Sequence, residues 1–336
     1  MSQHPVSLAL LQEPLKEFFR LGEILECSIV RAGHMCHNYA IATATKRYFL
    51  KQYRPQSQPS VLEVKEAETF FAKQGFPVIL PLKTNLGEVV FEIEGSWFSL
   101  FPFVEGHAPR ASELTKPMIK SLATMLARMH RAGIQDKPLH YAPIRLWKRE
   151  DFFESLHRLE SFLLMQESVT PMQQFALNSL RIQAEYLDEH REIPEDFSLR
   201  FDCLLHGDFI YTNVFFDAGG EINAIYDFER TGIGPRAYEL ARSLFLTCFD
   251  DGWEKKNHAF AGLFLKAYLE QFPLEYDEFL QGARMYAQHF MHMTWLESKV
   301  ILESSGSHIA LLIPARRRTV RFEEGIEAII EKIWPI

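Results

Sequence analysis

The chain has 336 residues, 47% of them hydrophobic and 24% charged, which excludes a disordered or fibrous protein. The length suits two domains or one large bilobal unit. A formal net charge of −8 argues against a general nucleic-acid binder, which carries a basic excess. The N-terminal stretch lacks a basic start, and Glu13 interrupts its short apolar run, so a signal peptide is not expected. No apolar run reaches the roughly 20 residues a membrane span needs. Cys27, Cys36, Cys203 and Cys248 are scattered without a zinc-like or redox spacing, and are read as reduced thiols of a cytoplasmic protein. No nucleic-acid or membrane partner is expected.

Residues 24 to 53 read as strands, with "ATATKR" as a polar turn before the aromatic "YFLKQY". Residues 59 to 75 read as a helix, with Ser60 and Glu63 matching a capping box and Gly75 marking the stop. "PVILPL", "EVVFEIEG" and "SWFSLF" read as three further strands. Residues 1–101 are thus expected as a β-rich lobe, 102–109, with two prolines and a glycine, as a hinge, and 110–336 as a helical lobe. Helices are expected over 117–133, 146–168, 171–190, 236–249, 257–272, 276–302 and 316–333. Two short strands, "VFFD" and "INAIYDF", interrupt them, joined by a turn at Ala218-Gly219-Gly220.

Around that hairpin stand His206, Asp208, Asn213 and Asp227, polar residues set beside apolar runs where burial penalises an unpaired group. The two ends of a hairpin are neighbours, so Asn213 and Asp227 are expected close together, with Asp208 nearby. An amide oxygen and a carboxylate are hard ligands of the type Mg²⁺ takes when phosphates fill the rest of its shell. Asp208 then suits a base that orients an attacking hydroxyl.

The order His206-Gly207-Asp208, four residues, Asn213, followed by "IYDFE", resembles the kinase-like fold of the aminoglycoside phosphotransferase and choline kinase family, homoserine-kinase-like members included. The resemblance runs from about residue 25 to 250. It implies an α+β fold, a bilobal protein-kinase-like arrangement with a small antiparallel N-lobe and a larger helical C-lobe. It implies ATP and Mg²⁺ as cofactors and an activity moving the γ-phosphoryl group to a hydroxyl of a small, amine-bearing molecule: an amino alcohol, homoserine, an amino sugar or an aminoglycoside. Asp208 maps to the catalytic base, Asn213 and Asp227 to the metal ligands, and His206 to a support of the loop. "RYFLKQY" maps Lys51 to the lysine on the ATP phosphates. Its helical partner is taken as Glu66 rather than Glu63, because Glu63 is explained by the capping box while Glu66 lies four residues from both Leu62 and Phe70 on one apolar stripe, and Glu68 is read as a solvated bystander. Gly33 and Asn38 fall in the strand–loop–strand over the phosphates, which departs from the three-glycine pattern of protein kinases. Pro102, Phe103 and Val104 fall in the adenine-contacting hinge. Glu239 is expected to brace the catalytic loop.

Weaker signals concern the acceptor. Asp250, Trp295 and Glu297 are candidates for contact with a cationic substrate, against core packing for Trp295 and solvation for Glu297. His289 and His292 read as packed helix residues rather than metal ligands, and "PARRRTVR" (314–321) as a solvated helix start. The competing reading is a non-catalytic nucleotide-binding scaffold with a retained kinase fold. The presence of the base, the lysine and both metal ligands weighs against it.

Overall fold

The computed structural model describes residues 6–30, 36–53, 58–104, 106, 108–134, 140–250, 252–303 and 306–335; Gly33 lies outside them. The elements begin with α1 (Leu8–Phe19), β1 (Ile24–Val30), β2 (Cys36–Thr43), β3 (Arg47–Tyr53), α2 (Gln58–Lys73), β4 (Phe91–Ile93) and β5 (Ser96–Pro102). Then come α3 (Lys116–Gly133), α4 (Arg149–Leu164), α5 (Pro171–Glu189), β6 (Cys203–Leu205), β7 (Val214–Phe216), β8 (Ile222–Ile225) and β9 (Gly232–Gly234). Six helices close the chain: α6 (Arg236–Cys248), α7 (Lys255–Gln271), α8 (Tyr276–Met291), α9 (Trp295–Glu303), α10 (Gly306–Glu323) and α11 (Ile326–Ile333). No helix among the described residues is long and apolar enough to cross a membrane.

The chain forms two compact units. The first comprises residues 1–108, 213–218 and 222–231, and the second the remainder. The first is therefore discontinuous, whereas the sequence assigned everything from 110 onward to the helical lobe. The reason is a pair of backbone bonds: Ile225 N–H donates to the Pro77 carbonyl at 2.8 Å, and Ile79 N–H donates to the Ile225 carbonyl at 3.0 Å. They tie the β7–β8 hairpin to residues 77–79.

In the first unit a five-stranded sheet has the order β1-β2-β3-β5-β4, with every pairing antiparallel. Leu11 and Leu15 of α1 pack on Tyr39, Ile41, Leu50, Phe98 and Leu100. The sequence reading passed over α1. Residues 77–82, expected as a strand, make only an isolated bridge, Val78 to Ile225. Ser60 lies inside α2 rather than at its cap, so the capping box does not set the phase of that helix. Its buried stripe runs Val61, Val64, Lys65, Ala67, Glu68, Phe71, the 3–4 residue period of a helix pressed on a core. Phe71 meets Phe228, beyond the hairpin, at 5.7 Å between ring centroids.

In the second unit β6 pairs with β9, α3 packs on α7, and α6 packs on α8. Two glycines allow close approaches. A Cβ on Gly133 would stand 2.4 Å from the Leu204 carbonyl oxygen, and one on Gly282 would stand 2.4 Å from the Ala237 backbone. Helix α6 is therefore buried nearly all round. The expected helix 276–302 is broken at 292–294, and the one at 316–333 is broken before Gly325, whose φ is 118°.

Candidate active site

In the first unit, Lys51 stands on β3 opposite Asn38 of β2. Its ammonium donates to Asp227 Oδ1 at 2.7 Å and forms an ion pair with Glu229. The lysine and Glu229 side chains are 13% and 8% exposed, so this pairing stands largely out of water and is little screened. The Tyr226 N–H donates to the Asn213 carbonyl at 3.1 Å, which sets Asn213 beside Asp227 across the hairpin end, as expected. Asp227 has φ +68°, a left-handed conformation that costs a non-glycine residue about 1–3 kcal/mol and clusters at functional positions.

The helical acid on the buried stripe of α2 is Glu68, not Glu66. Glu66 is exposed. Glu68 is 4% exposed and accepts from Lys65 Nζ at 2.5 Å. Burial pushes its carboxyl above the usual carboxylate range, against the pull of Lys65 and of Lys51. Lys51 is thus close enough for its charge to act on Glu68. The stripe expected through Leu62, Glu66 and Phe70 is not the buried one: Leu62 and Phe70 are half-buried, whereas Val64, Glu68 and Phe71 are buried.

At the hinge, the Phe103 N–H is committed to the Arg47 carbonyl at 3.2 Å, and the Arg47 guanidinium lies 3.8 Å from the centre of the Phe103 ring. Hydrogen-bonded pairs alternate along an antiparallel ladder, so the carbonyl of Pro102, paired with Tyr48, points away from β3. The Phe103 amide is thus committed within the sheet, and the Pro102 carbonyl is turned away from β3.

In the second unit, Asp208 Oδ1 accepts from Arg242 Nη2 at 2.6 Å. The Arg242 side chain is 8% exposed. Burial opposes its charge, but the Asp208 carboxylate, together with Tyr238 and Tyr286 beside it, holds the guanidinium protonated more firmly than usual. The loop before Asp208 hangs on Glu239, which is fully buried on α6. Its carboxylate accepts from the His206 N–H at 3.2 Å and from the Gly207 N–H. It also accepts from His130 Nε2 at 3.0 Å, while His130 Nδ1 lies 2.8 Å from the Tyr268 hydroxyl. The Asp208 N–H donates to His206 Nδ1 at 3.2 Å, which puts the proton of a neutral His206 on Nε2. Glu239 and His206 therefore do what was expected of them, and His130 is a structural support.

The acceptor-side candidates separate. Asp250 accepts from the Tyr211 hydroxyl and lies 3.8 Å from Arg318 Nη2. Glu297 is 4% exposed and accepts from Ser179 Oγ at 3.0 Å; it ties α9 to α5 and is neither solvated nor a surface contact for a cation. Trp295 is 40% exposed, its ring perpendicular to that of His308 at 6.5 Å between centroids. Tyr238 O–H and His289 Nδ1 lie 2.6 Å apart, in keeping with a packed histidine. Arg318, read as part of a solvated basic run, is 4% exposed.

Against known proteins, the model of the phosphotransferase enzyme family matches residues 26–280, more than half of the chain. The chain belongs to that family. A homoserine kinase of Methylobacillus glycogenes is 30% identical over 129 residues, which cover 38% of this chain and 39% of that protein. The alignment thus spans about two fifths of that relative's length. Among solved structures, a spectinomycin phosphotransferase in complex with ADP and spectinomycin aligns with a TM-score of 0.67 at 15% identity, covering 98% of both chains. An amicoumacin kinase in complex with AMP-PNP, Ca²⁺ and Ami aligns with a TM-score of 0.66 at 16% identity, covering 98% of this chain and 95% of that one. These structures carry the kinase-like fold.

Four residues of the site were missed by sequence reasoning: Glu229, Arg242, Glu68 and Arg318. A signal existed for the last three. Each stands at helical spacing from buried apolar residues: Glu68 from Val64 and Phe71, Arg242 from Tyr238 and Phe245, and Arg318 from Phe322. A charged residue in register with an apolar stripe must have a reason to be there.

Proposed function

We propose that the chain transfers the γ-phosphoryl group of ATP, in the presence of Mg²⁺, to a hydroxyl of a small molecule. The observation that carries this reading is the Lys51 ammonium seated between Asp227 and Glu229, a cation from β3 met by two carboxylates that follow the β7–β8 hairpin. Asp227, Glu229 and Asn213 offer hard oxygen donors. That fits a Mg²⁺ whose remaining ligands are phosphate oxygens and water. Such an ion, when bound, neutralises charge on the transferring group.

In this reading Lys51 takes the α/β-phosphates, Glu68 positions it, and Asn38 lies beside it on the neighbouring strand. The Pro102 carbonyl and the Val104 backbone meet the adenine. Asp208, oriented by Arg242, accepts the acceptor's proton as its oxygen bonds to the γ-phosphorus and the bond from that phosphorus to the ADP oxygen breaks. The nucleotide complexes of the two solved relatives support the nucleotide. The free thiols Cys27, Cys203 and Cys248 suit a reducing, cytoplasmic setting.

The test is ADP release from Mg-ATP across amino alcohols, hydroxy amino acids, amino sugars and aminoglycosides. Asp208→Asn is expected to lower kcat about 10³-fold while nucleotide binding persists. Absence of nucleotide binding by the wild-type chain would overturn the reading.

A further inference from the structure

We infer that the acceptor is a small hydroxylated α-amino acid whose carboxylate is received by Arg318 and Tyr286, beside Asp208. This rests on the phosphotransferase reading and narrows it. The residues concerned all belong to the second unit. Asp208 is paired with Arg242. Asp250, at the end of α6, is paired with Arg318 of α10 and bonded to Tyr211. Tyr286 of α8 lies within electrostatic reach of all four charged groups, Asp208, Arg242, Asp250 and Arg318.

The donors of this cluster are not used up. Arg318 Nε and Nη2, Arg242 Nε and the Tyr286 hydroxyl are buried without a hydrogen-bond partner. Arg318 and Tyr286 are only 4% and 1% exposed. The ion pair of Arg318 with Asp250 at 3.8 Å is too long to be a hydrogen bond. A buried guanidinium with idle N–H groups is costly, and that of Arg318 lies over the Phe290 ring, 5.2 Å from its centre. Burial raises the Tyr286 phenol, which keeps it a donor. All of these idle groups donate, so they ask for an anionic acceptor group with several lone pairs, and a carboxylate fits the planar fork of an arginine.

Charge balance decides what else the molecule carries. Two aspartates face two arginines, so the cluster is neutral. A bare cation would leave the idle donors unmet, and a bare anion would bring an uncompensated charge into a largely buried place. A zwitterion keeps the balance: its carboxylate meets Arg318 and Tyr286, and its ammonium meets Asp250, whose side chain is 39% exposed. Its hydroxyl is left for Asp208, 21% exposed. Amino alcohols and aminoglycosides lack the carboxylate that this arrangement requires.

The experiment uses pairs that differ only by the carboxylate: L-homoserine and 3-aminopropan-1-ol, L-serine and ethanolamine, L-threonine and 1-aminopropan-2-ol. Binding to the wild-type chain is measured by calorimetry, and turnover with Mg-ATP by ADP release. At least one amino acid is expected to exceed its decarboxylated partner by about 30-fold in affinity and in kcat/KM, the worth of one charge-assisted contact. In Arg318→Met that ratio is expected to collapse toward one through KM, and in Arg318→Lys, which keeps the charge but not the fork, to fall part-way, with thermal melting run alongside to show a folded chain. Equal behaviour within every pair overturns the inference, as does an unchanged ratio in a folded Arg318 variant, or no binding by any of the amino acids. Turnover confined to amines without a carboxylate overturns the inference and leaves the phosphotransferase reading standing. Carboxylate-dependent binding with no phosphoryl transfer to any acceptor supports the subsite and removes the phosphotransferase reading.

Discussion

Glu68 on α2 and Glu239 on α6 are both buried helical carboxylates, yet the two units hold them differently. Glu239 is shared by three partners from two other parts of the second unit: the His206 and Gly207 amides and the His130 ring. Glu68 has a lysine one turn earlier on its own helix, and its Oε2 has no hydrogen bond. A carboxylate tied to loop amides and another helix fixes tertiary structure and has nothing left to offer. One tied only to its own helix keeps an oxygen in reserve, here within the reach of Lys51's charge. The first is built as a strut and the second as a latch.

The largest test of that contrast is Glu239→Gln. An amide offers one oxygen and one NH₂, so either His206 N–H or Gly207 N–H must face a donor. A loss of about 3–5 kcal/mol in denaturant unfolding is expected, with kcat falling about 100-fold as the Asp208 loop loses its register. A smaller effect comes from a third buried acid, Glu297. Burial pushes it up to about 7, against its own backbone N–H, the Ser179 hydroxyl and Arg316. Its folded value lies above the unfolded one, so the folded chain binds more protons between about pH 4.5 and 7, and stability falls as pH rises through that window. Between pH 5 and 8 the loss is on the order of 2–3 kcal/mol, and Glu297→Gln should flatten that slope in urea melts taken at several pH values. Glu68→Gln comes next: it leaves Lys65 buried without a counter-charge and should cost about 2 kcal/mol, and it should also weaken nucleotide affinity if the latch engages Lys51. Glu66→Gln, on the exposed face, should stay within about 0.5 kcal/mol. Equal effects from Glu66 and Glu68 in the same melts would end the contrast.

Much of this was legible because it is local in sequence. The spacing from His206 to Asn213, the hairpin returning to Asp227 and the strand carrying Lys51 need only near neighbours to be read. What was not legible depends on helix phase and on partners far along the chain. Leu62 and Phe70 suggest an apolar stripe through Glu66, but the core takes the neighbouring face of Val61, Val64 and Phe71, which carries Glu68. Arg318 sits within three consecutive arginines, which resemble a solvated run; only its spacing of one turn from Phe322 betrays burial. Glu229 follows Asp227 by two residues in a turn, and nothing local says that it reaches Lys51. The breaks at 292–294 and at Gly325 fall where apolar periodicity continues across a bend.

The discontinuity of the first unit reaches beyond the folded state, into the order in which the protein is made. Residues 1–108 leave the ribosome with the Pro77 carbonyl and the Ile79 amide still waiting for Ile225, and with Phe71 lacking Phe228. Another 123 residues, 231 minus 108, must emerge before the last segment of that unit arrives. At ordinary synthesis rates this is an interval of roughly 6–25 s. For that time the nascent N-terminal sheet is a half-closed domain with an unsatisfied seam, and a chain stopped at residue 212 would carry the seam permanently.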